Sequence, residues 1–283
     1  MLICLDNSTH TFIKRICFSP PYKSAPFVTF APYSNQVCAE VSIPTCLLFS
    51  AVSILSTSLY KFSFNIMAPL LHEVDTPTKE ATFGMACFWA PDCLFGATPG
   101  VIRTKVGYTG GSKGTPSYHN LSDHTEAIHI EYDPKEIDYS TLLKLFWENH
   151  NPSARMKLQY TSMIWYHDNE QKELAESTLK EQESKHKLPV VTKIAPASVF
   201  YDAEDYHQKY RLQGHPWLCE AIGMKSGAKL KNSHLAARLN GYVIGCGGVN
   251  QFNAEVGKLG LDEKTADYVR KLVIKNEGNG LTC

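Results

Sequence analysis

The sequence predicts an α+β fold: one mixed central sheet with flanking helices, followed by a long coil-rich C-terminal tail. Three observations carry this reading. Short β-rich segments alternate with helical ones from Thr82 to about Phe200. The helical segments gather their apolar residues on one face. Glycines then crowd around Cys246, in Gly241-Tyr242-Val243-Ile244-Gly245-Cys246-Gly247-Gly248, where they give the backbone freedom to swing.

Element by element, Ala81-Thr82-Phe83 end a β-rich run, and Pro91-Asp92 form the first turn of a helix that continues through Leu94 and Phe95. Strands are predicted over 101–108, 127–132, 163–166 and 190–194. Ser140 caps a helix whose Leu142, Leu143, Phe146 and Trp147 share a face, and Asp168 caps the polar helix after it. In that second helix Glu176/Lys180, Glu181/Lys185 and Glu183/Lys187 sit four apart, the pattern of a solvated face. Short helical pieces follow at 203–212 and 216–222, and residues 262–275 make a closing helix. No fixed-period repeat is present, which excludes a solenoid or propeller.

Residues 1–66 differ in character, being rich in Ser, Thr, Pro and Cys and poor in charge. They read as a low-complexity extension, a leader or disordered. Residues 41–60 carry no charge, but their many Ser and Thr residues and Pro44 argue against a membrane span, so no stable membrane insertion is expected. Met67 offers a second start. The organisation expected is therefore an extension (1–66), a catalytic domain (67–240) and a glycine-rich tail with a terminal helix (241–283). A cytoplasmic location follows, or a mitochondrial one if the extension is a presequence.

The 283 residues have zero formal net charge and no long run of one sign, which gives no footprint for nucleic acid or an anionic membrane. Nine cysteines form no C-x-x-C pair, against a zinc ribbon or a thioredoxin-type site, and their odd number and irregular spacing do not suit a disulfide-stapled secreted scaffold. A reducing compartment with working thiols is the simpler reading.

Cys87 is the foremost of these thiols. Placed where a strand runs into a helix, it feels the positive end of the helix dipole, which favours thiolate; a buried structural cysteine is the competing reading. Phe88 and Trp89 make an apolar wall suited to a small uncharged group such as a methyl, unless both are simply core.

Six segments agree, in order, with one family: Ala86-Cys87-Phe88-Trp89; Val106-Gly107-Tyr108-Thr109-Gly110-Gly111; His124-Thr125-Glu126; Tyr132-Asp133-Pro134; Phe146-Trp147-Glu148-Asn149-His150; and Phe200-Tyr201-Asp202-Ala203-Glu204-Asp205-Tyr206-His207-Gln208. From about Ala81 to Arg211 the chain resembles the A-type peptide methionine sulfoxide reductases. The resemblance implies a ferredoxin-like core, no metal and no other cofactor. It implies reduction of the S epimer of methionine sulfoxide, free or in oxidised proteins, as repair of oxidative damage, by a monomer recycled by thioredoxin. It makes Cys87 the nucleophile that becomes a sulfenic acid, and Glu126 the acid that protonates the sulfoxide oxygen. Tyr108 and Tyr160 become the phenols that polarise the S=O bond, and Phe88 and Trp89 the methyl pocket. Taken alone, Tyr108 and Tyr160 read as structural aromatics and Glu126 as an exposed carboxylate before a strand. His124, His150 and His207 have no ligand-like spacing and read as structural.

The chain departs from the family pattern at several points. Ala86 and Ala90 stand where glycines are usual, and Asp92 where glutamate is usual. The loop before Tyr160 is shortened, so Lys157-Leu158-Gln159 offers no aspartate for the substrate. Regeneration needs a second thiol to attack the sulfenic acid. By resemblance Cys246 is that resolving thiol and Cys283 a further one, with Cys219 and Cys93 as lesser candidates. Two other readings compete: a thiol hydrolase or peroxidase using a histidine base, and an inactive sensor that binds oxidised methionine.

Overall fold

The computed structural model describes residues 73–225 and 227–281. The extension 1–66, Met67 and Cys283 lie outside the described residues.

β1 (Lys79–Gly84) leads through a tight turn into α1 (Trp89–Ala97), followed by β2 (Val101–Thr109), β3 (Thr125–Tyr132), α2 (Tyr139–Glu148) and β4 (Met163–Tyr166). These four strands lie in the order β4-β1-β3-β2 with every neighbour antiparallel. That is the ferredoxin-like arrangement. The polar α3 (Asn169–Lys185) is the crossover that lets β5 (Lys193–Pro196) pair parallel with β4, and β6 (Tyr201–Asp202) pairs antiparallel with β2. The sheet is thus six-stranded and mixed, as the α+β reading requires.

Side-chain alternation assigns the two faces. Phe83, Val106, Ile128 and Ile164 are cross-strand neighbours and fully buried. Phe83 meets Phe95 of α1 at 5.7 Å and Phe146 of α2 at 5.1 Å, centroid to centroid. Tyr108 and Glu126 are paired across β2 and β3 in the same alternation, so they emerge on the face that α1 covers.

Several predicted elements shift. Asp138, not Ser140, caps α2, accepting the Thr141 N–H at 2.7 Å while Ser140 donates to the same carboxylate. Asp168 caps α3 as predicted. The strand expected at 190–194 pairs as 193–196, because its register is set by β4. The helix expected at 203–212 breaks into a 3-10 turn (Asp205–His207) and α4 (Tyr210–Gln213), since Lys209 is left-handed with φ 52°.

The larger correction concerns the coil-rich tail, which is helical. After α5 (Pro216–Ala221) and α6 (Gly227–Leu230) come α7 (His234–Tyr242), α8 (Gly248–Glu255) and α9 (Glu263–Asn276). They close a second core of Leu218, Leu235, Leu239, Phe252, Val269 and Val273. Two glycines pack α1 against α7: a Cβ on Gly96 of α1 would fall 2.4 Å from the Ala237 carbonyl oxygen, and one on Gly241 of α7 2.4 Å from that of Cys93. α1 and α7 therefore meet backbone to backbone. Among the described residues no helix is long and apolar enough to cross a membrane.

Candidate active site

Cys87 lies in the turn between β1 and α1, half-buried and not disulfide-bonded. The turn needs a left-handed residue, and Ala86 supplies it at φ 64°, a conformation that costs an L residue about 1–2 kcal/mol. This gives a physical reason for the glycine usual at that position. Phe88 caps α1, which leaves the thiol at the positive end of the helix.

Phe88 also fixes Glu126. Its N–H donates to Glu126 Oε2 at 3.2 Å, and Gln159 Nε2 donates to Oε1 at 2.6 Å. Glu126 belongs to β3 and is 2 % exposed, so the reading of an exposed carboxylate before a strand is corrected. Burial pushes its pKa above the ordinary glutamate value against the pull of Gln159, the Phe88 N–H and Lys157. A carboxyl so placed keeps its proton to higher pH.

Tyr108, buried between Phe88 and the sheet, donates its hydroxyl to Glu204 Oε2 at 2.8 Å. Burial first, then Glu204 and Glu126, hold this phenol well above its usual range, so it stays protonated. Tyr160 ends a 3-10 turn (Leu158–Tyr160) directly after Gln159, with the Lys157 ammonium 4.9 Å from its ring centroid. The short segment before Tyr160 thus places the Gln159 amide on Glu126.

The aromatic wall is larger than Phe88 and Trp89. Trp89 stacks on Tyr210 at 3.8 Å and 7°, and His207 packs edge-on to Phe88 at 5.2 Å. His207 is 2 % exposed, with neither ring nitrogen hydrogen-bonded. Gln208 and Lys209 hold this segment in place. The Gln208 amide bonds both backbone groups of Val106, and buried Lys209 pairs with buried Asp92 at 3.1 Å. Asp92 also accepts from Thr104 and Asn240. Gln159, Glu204 and Tyr210 had no role in the sequence reading and His207 was read as structural, although Glu204 and His207 lie inside a segment that carries the resemblance.

The other histidines are bonded within the fold: His124 faces the Leu121 carbonyl at 3.1 Å, and His150 bridges the Phe146 carbonyl and Ser162. Among the described residues no group of three or more His, Cys, Asp or Glu is arranged to hold a metal ion.

The structure does not bring Cys246 to Cys87. Cys246 stands in the turn between α7 and α8, in a groove of about 580 Å³ lined by Ala97, Thr98 and Pro99 at the far end of α1. α1 has nine residues, roughly 13 Å of helix, and a disulfide needs Cα atoms within about 7 Å. Burial raises the Cys246 thiol to about 11, and Cys93 and Cys219 are raised by burial as well.

A family model described as "Peptide methionine sulfoxide reductase" matches residues 79–238, and one described as "Selenoprotein methionine sulfoxide reductase A, helical domain" matches residues 226–274. A peptide methionine sulfoxide reductase of Drosophila melanogaster is 47% identical over 216 residues, covering 75% of this chain and 87% of its own length. Peptide methionine sulfoxide reductase A5 of Arabidopsis thaliana is 37% identical over 222 residues, covering 75% of this chain and 84% of its own. Among solved structures, reduced Mxr1 of Saccharomyces cerevisiae aligns with a TM-score of 0.46 and 28% identity over 52% of this chain and 90% of that one. With the matched family spanning more than half of its length, the chain belongs to the peptide methionine sulfoxide reductases, oxidoreductases of the A type.

Proposed function

We propose that this chain reduces the S epimer of methionine sulfoxide, free or in oxidised proteins, with Cys87 as nucleophile. The Cys87 thiolate attacks the sulfoxide sulfur while Glu126 gives its proton to the oxygen. The oxygen passes to Cys87 as a sulfenic acid, and the two electrons lost by the thiol reduce the sulfoxide to methionine. Tyr108 and Tyr160 donate to the oxygen as negative charge grows on it. Phe88 and Trp89, extended by Tyr210, hold the methyl group. The observation that carries this reading is Glu126, buried, raised in pKa and bonded to the N–H of the residue after Cys87.

Cys246 then attacks the Cys87 sulfenic sulfur, water leaves, and the disulfide is opened by a dithiol reductant, for which we propose thioredoxin. Cys283 accepts the disulfide by exchange; Leu281, two residues before it, lines the same groove as Cys246. The groove's distance from Cys87 requires residues 243–247 to move first. The reading takes the chain as a monomer acting in a reducing compartment such as the cytoplasm.

Cys87→Ser is expected to abolish turnover of an S-sulfoxide with dithiothreitol; full activity in that variant would overturn the assignment. Mass spectrometry after one turnover without reductant is expected to find Cys87 joined to Cys246. A sulfenic acid that persists would remove Cys246 from the scheme. Binding of sulfoxide without any turnover would favour the sensor reading.

A further inference from the structure

Glu204 holds two groups at once. Its Oε2 accepts the Tyr108 hydroxyl at 2.8 Å and its Oε1 accepts the Tyr118 N–H at 2.9 Å. Tyr108 belongs to β2 and faces Glu126 across the ladder, whereas Tyr118 lies in the segment between β2 and β3, outside both strands. One carboxylate therefore joins the phenol beside the acid to the loop over it. A second cross-link secures that loop: Asp123 accepts the N–H groups of Ser112 and Lys113 at 3.0 Å.

The surroundings suit an ionised group. Glu204 is one-third exposed, and His207 Nε2 stands 3.8 Å from Oε2. Partial burial pushes its pKa up, but the Tyr118 N–H, its own N–H, the Tyr108 hydroxyl and His207 outweigh burial and leave it below the ordinary glutamate value. Glu126, on the other side of Tyr108, is shifted the opposite way. Environments that separate two carboxyls in this manner divide their roles: one keeps its proton, the other stays a hydrogen-bond acceptor.

We propose that Glu204 is a positioning residue for sulfoxide reduction, an acceptor that fixes the Tyr108 hydroxyl and latches the Tyr118 loop beside it. A phenol has one proton to donate. With that proton on Glu204, Tyr108 waits in a fixed rotamer next to Glu126. It turns its hydrogen bond to the sulfoxide oxygen once that oxygen gathers enough charge to compete with a carboxylate. The bond is then made in the transition state more than in the ground state, the condition under which it raises kcat.

This inference rests on the proposed chemistry at Cys87, and its test separates the two. Kinetics on an S-sulfoxide with dithiothreitol are measured for wild type, E204A, E204Q, Y108F and the double variant E204A/Y108F. E204A is expected to lower kcat about tenfold and change KM less, whereas in the Y108F background the same substitution changes kcat less than about twofold, as for two groups acting as one. E204Q, which still accepts one hydrogen bond and needs no charge to fold, is expected to remain within about threefold of wild type in kcat. Equal losses from E204A in both backgrounds, or no loss in either, would overturn the role of Glu204. Activity that survives Cys87→Ser would instead overturn the underlying chemistry.

Discussion

The two ends of α1 hold the two important thiols in opposite surroundings. At its N-terminal end Cys87 is half-exposed, next to the helix dipole, a buried acid and a phenol, all borne on adjacent strands and the start of one helix. At its C-terminal end Cys246 is held in a turn whose pKa environment favours the thiol. Gly245 packs against the backbone of Asn276, the Asn276 amide donates to the Val243 carbonyl at 2.7 Å, and the Cys246 N–H donates to Gly241. On the proposed mechanism, a ready nucleophile sits at one end and a stored one at the other. Attack on the sulfoxide needs little rearrangement, while recycling requires a turn to leave its packing.

The sharpest way to break the contrast is Glu126→Gln, which keeps the shape of the site and removes its proton. The loss expected for a general acid is about 10²–10⁴-fold in kcat. In the wild type, kcat is expected to fall as pH rises through the raised Glu126 pKa. The folded state also binds that proton more tightly than the unfolded chain does. Stability attributable to Glu126 is therefore full below the unfolded value of about 4.3 and declines from there up to the folded value, a decline the glutamine variant should lack in urea titrations at several pH values.

Next in size is Asp92→Ala. It strands the buried Lys209 ammonium, and removing one partner of a buried pair costs about 3–5 kcal/mol. A large drop in melting temperature is expected, with Tyr210 and His207 losing their hold beside Trp89. An unchanged melting temperature would show that water reaches Lys209.

Cys246→Ser tests the stored thiol. Single-turnover methionine formation should stay within about twofold of wild type, while thioredoxin-coupled turnover falls by about tenfold or more. Equal coupled rates would move resolution to another cysteine. The smallest effect belongs to Ala86→Gly. Removing a Cβ from a left-handed residue gains more than glycine's extra chain entropy costs, so stability should rise by about 0.5–1 kcal/mol, read from chemical denaturation.

What the sequence made legible follows the range of the forces involved. Strand alternation and helix faces are local, so 101–108, 127–132 and 163–166 form within two residues of their predicted bounds, and Asp168 caps its helix as read. The identities of Cys87, Glu126, Tyr108, Phe88 and Trp89 came from ordered segments, and the fold brings these residues together. Long-range pairings were hidden: Glu204 to Tyr108 is 96 residues apart and Lys209 to Asp92 is 117. Glycine misled most. Read as freedom, Gly241 instead marks where two backbones touch, and the helices it permits replace the expected coil.

That contact has a further consequence. An interface of side chains can be retuned by exchanging one apolar residue for another, each change absorbed by its neighbours. Between Gly96 and Ala237 and between Gly241 and Cys93 the facing atoms are mostly backbone, which cannot be exchanged in that way. A side chain at Gly96 or Gly241 would therefore have to push α1 and α7 apart rather than displace a flexible neighbour, so the spacing of the two helices is set by the absence of two Cβ atoms.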